Sequence, residues 1–242
     1  MKYFVVVLVC IFTIFILMLG HFKYQEKTRI NVASAKNEQT DMMWENKNWL
    51  AIGDSITYAN KYQPLVQRGL KIKSVQTEAV PGRPIKPMAD NLTAESLKNI
   101  DLITVFGGTN DYGSNKMLGT IKDDKTQDTF YGNLKNVIEK IIAVKPKKAT
   151  LVFFTPLKRG AFKNQPVYPN PNSSGHKLDD YVNAEKQVCK LYSIPVIDLF
   201  HKSGLEVDNL SKFTIDNLHP NDEGHQMISK VMITELKQLA AQ

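Results

Sequence analysis

The chain has 242 residues, of which 43% are hydrophobic, and this is enough to bury one substantial core in a single domain. The formal net charge is +7, but residues 1–29 hold four of the basic residues and one acidic residue, so the remainder carries +4. Its densest basic run is only Lys145–Lys148, so we expect no nucleic-acid partner; an anionic cell-surface polymer suits the same charge. Cys189 is the one cysteine of this remainder, which excludes a disulfide scaffold.

An uncharged apolar run, Tyr3–Gly20, opens the chain and reaches the lower limit for crossing a bilayer. We predict that residues 1–29 form an uncleaved signal anchor that attaches the protein to the membrane. Cleavage is the rival interpretation, because Ala33-Ser34-Ala35 has the small-residue pattern of a processing site. That pattern lies well beyond the apolar run, whereas processing sites normally follow it closely.

Two features of the sequence predict opposite orientations for this anchor. The basic residues Lys23, Lys27 and Arg29 follow the apolar run, and the positive-inside rule then leaves the domain in the cytoplasm. A short N-terminal apolar segment ahead of a globular domain is, however, most often an export signal. We therefore predict a single-pass membrane protein with an extracellular domain, or a secreted protein if the segment is cleaved. Residues 30–47 are polar and without a sustained period, and we interpret them as a tether.

From residue 48 to residue 242, short apolar runs alternate with longer amphipathic patterns. This alternation predicts one α/β domain with a parallel sheet between two helical layers. The segment 158–180, rich in Gly and Pro, interrupts the rhythm; it is either a loop that shapes a site or a disordered insertion. The predicted strands are Trp49–Ile52, Val75–Val80, Leu102–Phe106, Thr150–Thr155 and Pro195–Leu199, and the predicted helices are 62–72, 131–144 and Asp222–Leu239.

Polar residues follow four of the predicted elements. Ser55 follows the first strand, Gly82 the second, Asn110 the third, and Asp216 with His219 comes after the fifth. Because ligands bind outside the carboxyl ends of the strands in such a sheet, we expect these residues to converge at one edge.

This set of residue types is what acyl transfer needs. A serine becomes a nucleophile when a histidine takes its proton, and a carboxylate fixes the tautomer of that histidine. Asp216 lies three residues before His219 and can reach its second ring nitrogen. The N–H groups of Ser55 and Gly82 and the side-chain amide of Asn110 can donate to a developing oxyanion.

Each residue also has an ordinary structural interpretation. Ser55 and Asn110 could cap helices, Gly82 could serve a tight turn, and His219 could be a surface histidine. His225 fits a helical face and is better explained as structural. The occurrence of the whole set in order, each member where an element ends, favours the chemical interpretation.

The four blocks resemble those of the SGNH (GDSL) hydrolase family of bacterial esterases and lipases. Gly53-Asp54-Ser55 matches the first block, Gly82 the second, 108–111 (Gly-Thr-Asn-Asp) the third, and 216–220 (Asp-Asn-Leu-His-Pro) the last, within a resemblance that spans about residues 48 to 239. The resemblance implies a flavodoxin-like three-layer sandwich with a five-stranded parallel sheet in the order 2-1-3-4-5. It also implies a triad of Ser55, Asp216 and His219 and an oxyanion hole of Ser55, Gly82 and Asn110. Arg83 departs from the small residue usual beside the glycine.

We therefore expect a serine esterase for a small acyl ester, such as O-acetyl groups on cell-envelope carbohydrate, with no cofactor and no metal. An O-acyltransferase with the same triad and a catalytically silent, membrane-tethered binding module are the alternatives. A metal hydrolase using Asp216, His219 and His225 leaves Ser55 and Asn110 without a role.

Overall fold

The computed structural model describes residues 21–22, 24–27 and 43–239. Most of the predicted anchor (1–29) and tether (30–47) therefore lies outside the described residues. Residues 21–22 and 24–27 are helical. Among the residues that are described, none of the helices combines the length and the apolar character that a bilayer crossing requires.

The core of the domain is a sheet of five parallel strands in the order β2-β1-β3-β4-β5, which confirms the predicted fold. Each parallel pair needs a crossover connection, so helices cover both faces of the sheet. The predicted boundaries of β3 are confirmed, and those of the other strands differ by at most two residues. The strands are β1 Asn48–Gly53, β2 Ser74–Ala79, β3 Leu102–Phe106, β4 Thr150–Phe154 and β5 Val196–Ile197.

The three predicted helices are present, and further ones connect the strands. One long helix was not predicted: it begins at Leu178, inside the segment 158–180 that we interpreted as a loop or a disordered insertion. Its start is stabilised by the Lys177 N–H, which donates to Asp180 Oδ2 at 2.8 Å. The helices are α1 Ser55–Tyr58, α2 Tyr62–Leu70, α3 Ala94–Leu97, α4 Thr109–Gly113, α5 Phe130–Val144, α6 Leu178–Leu191, α7 Leu199–Lys202, α8 Leu210–Phe213 and α9 Asp222–Leu239, with a 3₁₀ turn at Lys86–Ala89.

Side chains that alternate along the strands build two cores, one on each face of the sheet. In β1, Leu50 and Ile52 pack on the face covered by α5 and α6. Trp49 and Ala51 point to the other face, against α2 and α9. The buried Trp49 Nε1–H donates to Thr104 Oγ1 at 2.9 Å, so its polar atom is satisfied inside the sheet.

The turn after β1 is packed too closely for a side chain at Gly53. A Cβ atom at Gly53 would lie 2.1 Å from Thr57 Oγ1 and 2.8 Å from the carbonyl oxygen of Phe106. The second contact is with backbone, so it cannot be relieved by a rotamer change. The glycine thus lets α1 begin immediately beside the end of β3.

We predict that Gly53→Ala lowers the free energy of unfolding by about 1–3 kcal/mol, because a methyl group is forced into this contact. The measurement is a urea denaturation curve. Gly69→Ala in α2 is the matched control: its Cβ would meet the Ile233 side chain, most closely the terminal Cδ1 at 2.4 Å, and no backbone atom, and alanine favours the helix. Equal midpoints for the two variants would contradict the close contact at Gly53.

Candidate active site

Ser55 is the first residue of α1, directly beyond the carboxyl end of β1. The preceding residue, Asp54, caps this helix, because its Oδ1 accepts a hydrogen bond of 3.0 Å from the Ile56 N–H. This cap fixes the first turn, so the partly exposed Ser55 side chain is held at the sheet edge.

The structure brings Ser55, His219 and Asp216 into one hydrogen-bonded chain. Ser55 Oγ lies 2.8 Å from His219 Nε2, and His219 Nδ1 lies 2.7 Å from Asp216 Oδ2. With the proton on Nδ1, the imidazole donates to the carboxylate, and Nε2 is free to accept the serine proton. This arrangement can generate a serine nucleophile.

Asp216 is held by the backbone of its own loop. Its Oδ1 accepts hydrogen bonds from the N–H groups of Leu218, at 3.1 Å, and His219, at 2.8 Å. Partial burial by itself raises the pKa of Asp216, but the hydrogen bonds from the His219 backbone and ring outweigh it, and the pKa is lowered. The carboxylate therefore stays charged opposite the imidazole.

Asn110 lies in α4, beyond the carboxyl end of β3, and its side chain does not cap that helix. Its Nδ2 instead donates to Asp54 Oδ2 at 3.2 Å and to the Arg83 carbonyl oxygen at 3.1 Å. The amide thus bonds to the turn after β1 and to the turn after β2.

Gly82 lies in the exposed turn after β2 with φ = +75°, a backbone conformation that favours glycine. The neighbouring Arg83 side chain is buried, and its Nη2 donates to Glu78 Oε1 at 3.0 Å. The guanidinium is therefore paired with a β2 side chain.

Two buried carboxyl groups lie beneath these residues, and neither was assigned a role in the sequence analysis. Asp54 is one; the other is Asp111, whose Oδ2 accepts the Ile85 N–H at 2.9 Å. Burial raises the pKa of Asp54 to about 6 and that of Asp111 to about 7, although backbone N–H donors partly oppose the shift. Both residues stand inside recognised motifs, but only the fold shows what they bond to.

The segment that follows β4 also reaches the site. The Gly160 N–H donates to the carbonyl oxygen of Asn217 at 2.8 Å. Asn217 lies between Asp216 and His219 in the chain. Phe162 packs on the imidazole of His219, with ring centroids 5.3 Å apart. The segment 158–180 therefore packs against the candidate site rather than lying apart from it.

Arg159, near the start of this segment, is fully buried. Its Nη2 donates to Gln165 Oε1 at 2.6 Å, while its Nη1 lies 3.4 Å from both oxygen atoms of Thr109, the neighbour of Asn110. The sequence signal for Arg159 was weak, because it is a charged residue soon after a buried strand, at the start of a loop rich in glycine and proline.

His225 has no place in the hydrogen-bonded chain of Ser55, His219 and Asp216. It is buried in α9, stacks on the ring of Tyr62 with an interplanar angle of 17°, and its Nδ1 has no hydrogen-bond partner. Burial lowers the pKa of His225 to about 4, which keeps the ring neutral. Within the described part of the chain, no three His, Cys, Asp or Glu side chains are grouped to hold a metal ion.

Comparison with known proteins places this geometry in context. The model of the GDSL-like lipase/acylhydrolase family matches residues 51–227. A crystal structure of a Lactobacillus plantarum protein is similar, with 25% identity and a TM-score of 0.72 over 80% of this chain and 98% of that chain. A possible lipase from Chitinophaga pinensis has 23% identity and a TM-score of 0.67 over 81% and 100% of the two chains.

An acetylxylan esterase from Geobacillus stearothermophilus, solved as a catalytic mutant, shares the fold at 16% identity and a TM-score of 0.58. The match covers 81% of this chain and 96% of that one. No curated protein sequence matched the chain.

The raised pKa of Asp111 generates a prediction about stability and pH. Because its folded-state pKa of about 7 exceeds the unfolded value near 3.9, the folded state binds more protons between pH 4 and 7. The contribution of Asp111 to stability is therefore greatest at low pH and is lost as the pH rises through this window. Asp111→Asn removes the ionisable group and with it this loss. Relative to wild type, the free energy of unfolding of the variant should therefore rise by roughly 1.4 kcal/mol for each pH unit between 4 and 7.

The measurement is urea denaturation of both proteins at several pH values from 4 to 8. Asp128→Asn is the control, because Lys86 and Lys116 hold the pKa of Asp128 low, so its difference from wild type should stay flat across this window. A flat difference for Asp111→Asn as well would contradict the buried, raised carboxyl.

Proposed function

Because the chain belongs to the GDSL-like lipase/acylhydrolase family, we propose that it hydrolyses a small acyl ester with Ser55 as nucleophile, His219 as base and Asp216 as the group that orients the base. The observation that carries this proposal is the chain of two short hydrogen bonds, 2.8 and 2.7 Å, that joins the three side chains. Membership of the family makes the protein a serine ester hydrolase; the residue roles and the substrate are our proposal.

In the proposed reaction, Ser55 Oγ attacks the ester carbonyl carbon while His219 Nε2 takes the serine proton. The C=O electron pair moves onto oxygen and forms a tetrahedral oxyanion. When it collapses, the C–O bond to the alcohol breaks and His219 gives its proton to the leaving oxygen. A water molecule then repeats the sequence on the acyl-serine, with His219 again as base, and releases the carboxylic acid.

Three donors are proposed for the oxyanion: the N–H groups of Ser55 and Gly82 and the side-chain amide of Asn110. The contacts of Asn110 support its part, because Asp54 and the Arg83 carbonyl fix its amide between the turns that carry Ser55 and Gly82. To donate to the substrate, Nδ2 must share one of these two N–H groups. A donor whose position is fixed before the reaction needs little reorganisation during it.

For the substrate we propose an O-acetyl group on cell-envelope carbohydrate. The pairing of Arg83 with Glu78 supports a small neutral acyl group, because it ties the guanidinium to β2. The Geobacillus protein with the same fold is an acetylxylan esterase, so the fold accommodates acetylated carbohydrate.

We further propose that residues 1–29 anchor the protein in the cell membrane with the domain outside the cell. The uncharged run Tyr3–Gly20 ahead of the polar residues 30–47 supports this location.

We predict that Ser55→Ala and His219→Ala each lower kcat for 4-nitrophenyl acetate about 10⁴-fold or more, because each removes a group that exchanges the proton. Asp216→Asn should cost about tenfold to a hundredfold less, since the imidazole loses only its orientation and charge partner. A fluorophosphonate probe should label the wild-type protein at Ser55.

The matched controls are Ser114→Ala and His201→Ala, which change an exposed serine and an exposed histidine outside the proposed triad. Both should keep wild-type kcat. An active Ser55→Ala protein, or labelling at another residue, would overturn the assignment of the nucleophile.

We predict that Asn110→Ala lowers kcat by roughly 10²–10³ with little change in KM, because it removes an oxyanion donor. It should also cost about 1–3 kcal/mol of stability, since Asp54 and the Arg83 carbonyl lose their shared donor. Steady-state kinetics and urea denaturation measure the two effects separately.

Asn133→Ala is the control, because Asn133 is a hydrogen-bonded asparagine outside the site: it is buried in α5 and bonded to Asp128. This variant should lose stability and keep kcat. If Asn110→Ala behaves in the same way, Asn110 is a structural residue and donates nothing to the oxyanion.

A further inference from the structure

The half-buried ring of Phe162 forms part of the surface beside His219. It meets the imidazole edge to face, with centroids 5.3 Å apart and planes at 78°. The Nδ1 side of the same imidazole is occupied by Asp216, at 2.7 Å. Phe162 therefore packs on the part of the ring that the carboxylate leaves uncovered.

The chemistry of ester cleavage determines what lies near this ring. His219 Nε2 accepts the proton of Ser55 Oγ at 2.8 Å and must then give it to the leaving oxygen. A proton transfer of this kind needs the leaving oxygen within about 3 Å of Nε2. The alcohol half of the ester is thus held beside the imidazole, where Phe162 offers an aromatic surface.

Phe162 is fixed by the segment that carries it. The Gly160 N–H bonds the Asn217 carbonyl oxygen at 2.8 Å, and the Arg159 guanidinium carbon lies 6.0 Å from the centre of the Phe162 ring. Arg159 is itself fully buried and bonded to Gln165. Because these contacts are made within the protein itself, they hold the ring in place, and little ordering is needed when an alcohol binds.

We propose that Phe162 is the wall of a leaving-group subsite that takes a ring-shaped alcohol with an apolar face, the shape of a pyranoside. The proposal rests on the proposed esterase function and deepens it, because it names the class of alcohol. An aromatic ring contributes through contact with the apolar C–H face of such a group, whereas a short alkyl alcohol is too small to cover it.

The test compares alcohols under one acyl group: ethyl acetate, cyclohexyl acetate and methyl 6-O-acetyl-glucopyranoside. Phe162→Ala should lower kcat/KM about tenfold for the two ring alcohols and twofold or less for ethyl acetate. Phe162→Leu, which keeps an apolar side chain, should lie between the wild type and Phe162→Ala. Lys163→Ala, the change of an exposed neighbour whose Nζ lies 5.1 Å from the Phe162 ring centre, should leave all three values unchanged.

A second series keeps the leaving group and varies the acyl chain: 4-nitrophenyl acetate, butyrate and hexanoate. Phe162→Ala should lower these three values by one common factor, because the subsite contacts only the alcohol half. A factor that changes with acyl length would assign Phe162 to the acyl pocket and overturn the proposal.

These measurements distinguish a failure of the subsite proposal from a failure of the proposed esterase function. If Phe162→Ala loses the same factor for all three alcohols, the ring only positions His219 and the subsite is rejected while the esterase stands. If the wild-type protein hydrolyses none of the esters through Ser55, the proposed function falls and the subsite falls with it. Should Phe162→Ala fail to fold in a urea denaturation check, the ratios of Phe162→Leu decide.

Discussion

The buried carboxyl group of Asp54 connects the parts of the candidate site to one another. One oxygen caps the helix that begins with Ser55, and the other accepts the amide of Asn110, which also bonds the Arg83 carbonyl. The turns after β1, β2 and β3 are thereby joined by polar contacts to the buried Asp54 and the half-buried Asn110. A buried polar group without a partner costs about 1–3 kcal/mol, so each of these bonds constrains the geometry of the others.

Burial in the fold determines the protonation of the carboxyl groups near this site. Burial raises the pKa of Asp54 to about 6 and of Asp111 to about 7, so near neutral pH the site carries carboxyl groups of mixed protonation. The guanidinium of the fully buried Arg159 remains charged beside α4, and its positive charge partly compensates the negative charge of these carboxyl groups. A carboxylate that is protonated, or paired with a donor, opposes a developing oxyanion less than a free carboxylate does.

Alternating apolar runs and amphipathic patterns predicted the parallel sheet and the blocks at its edge, because parallel strands need crossovers that bring every carboxyl end to one side. The strand order was implied by the family resemblance. Beyond the contacts among Ser55, His219 and Asp216, the partners of single side chains could not be predicted. That Asn110 bonds Asp54 and a backbone carbonyl, instead of capping α4, depends on loops that approach only in the folded chain. The contact of Phe162 with His219 could not be predicted for the same reason, since a loop without periodicity does not indicate where its side chains point. The helix Leu178–Leu191 was missed because its first turn lies in that irregular segment.

The direction of β1 also determines how the site faces the rest of the chain. Trp44 is buried against α9, where its Nε1–H donates to the Leu236 carbonyl oxygen at 2.8 Å, and β1 begins four residues later at Asn48. Six residues of strand, roughly 20 Å, separate this point of entry from the turn that carries Ser55. Trp44 therefore lies beyond the amino end of β1, at the edge of the sheet opposite to the candidate site.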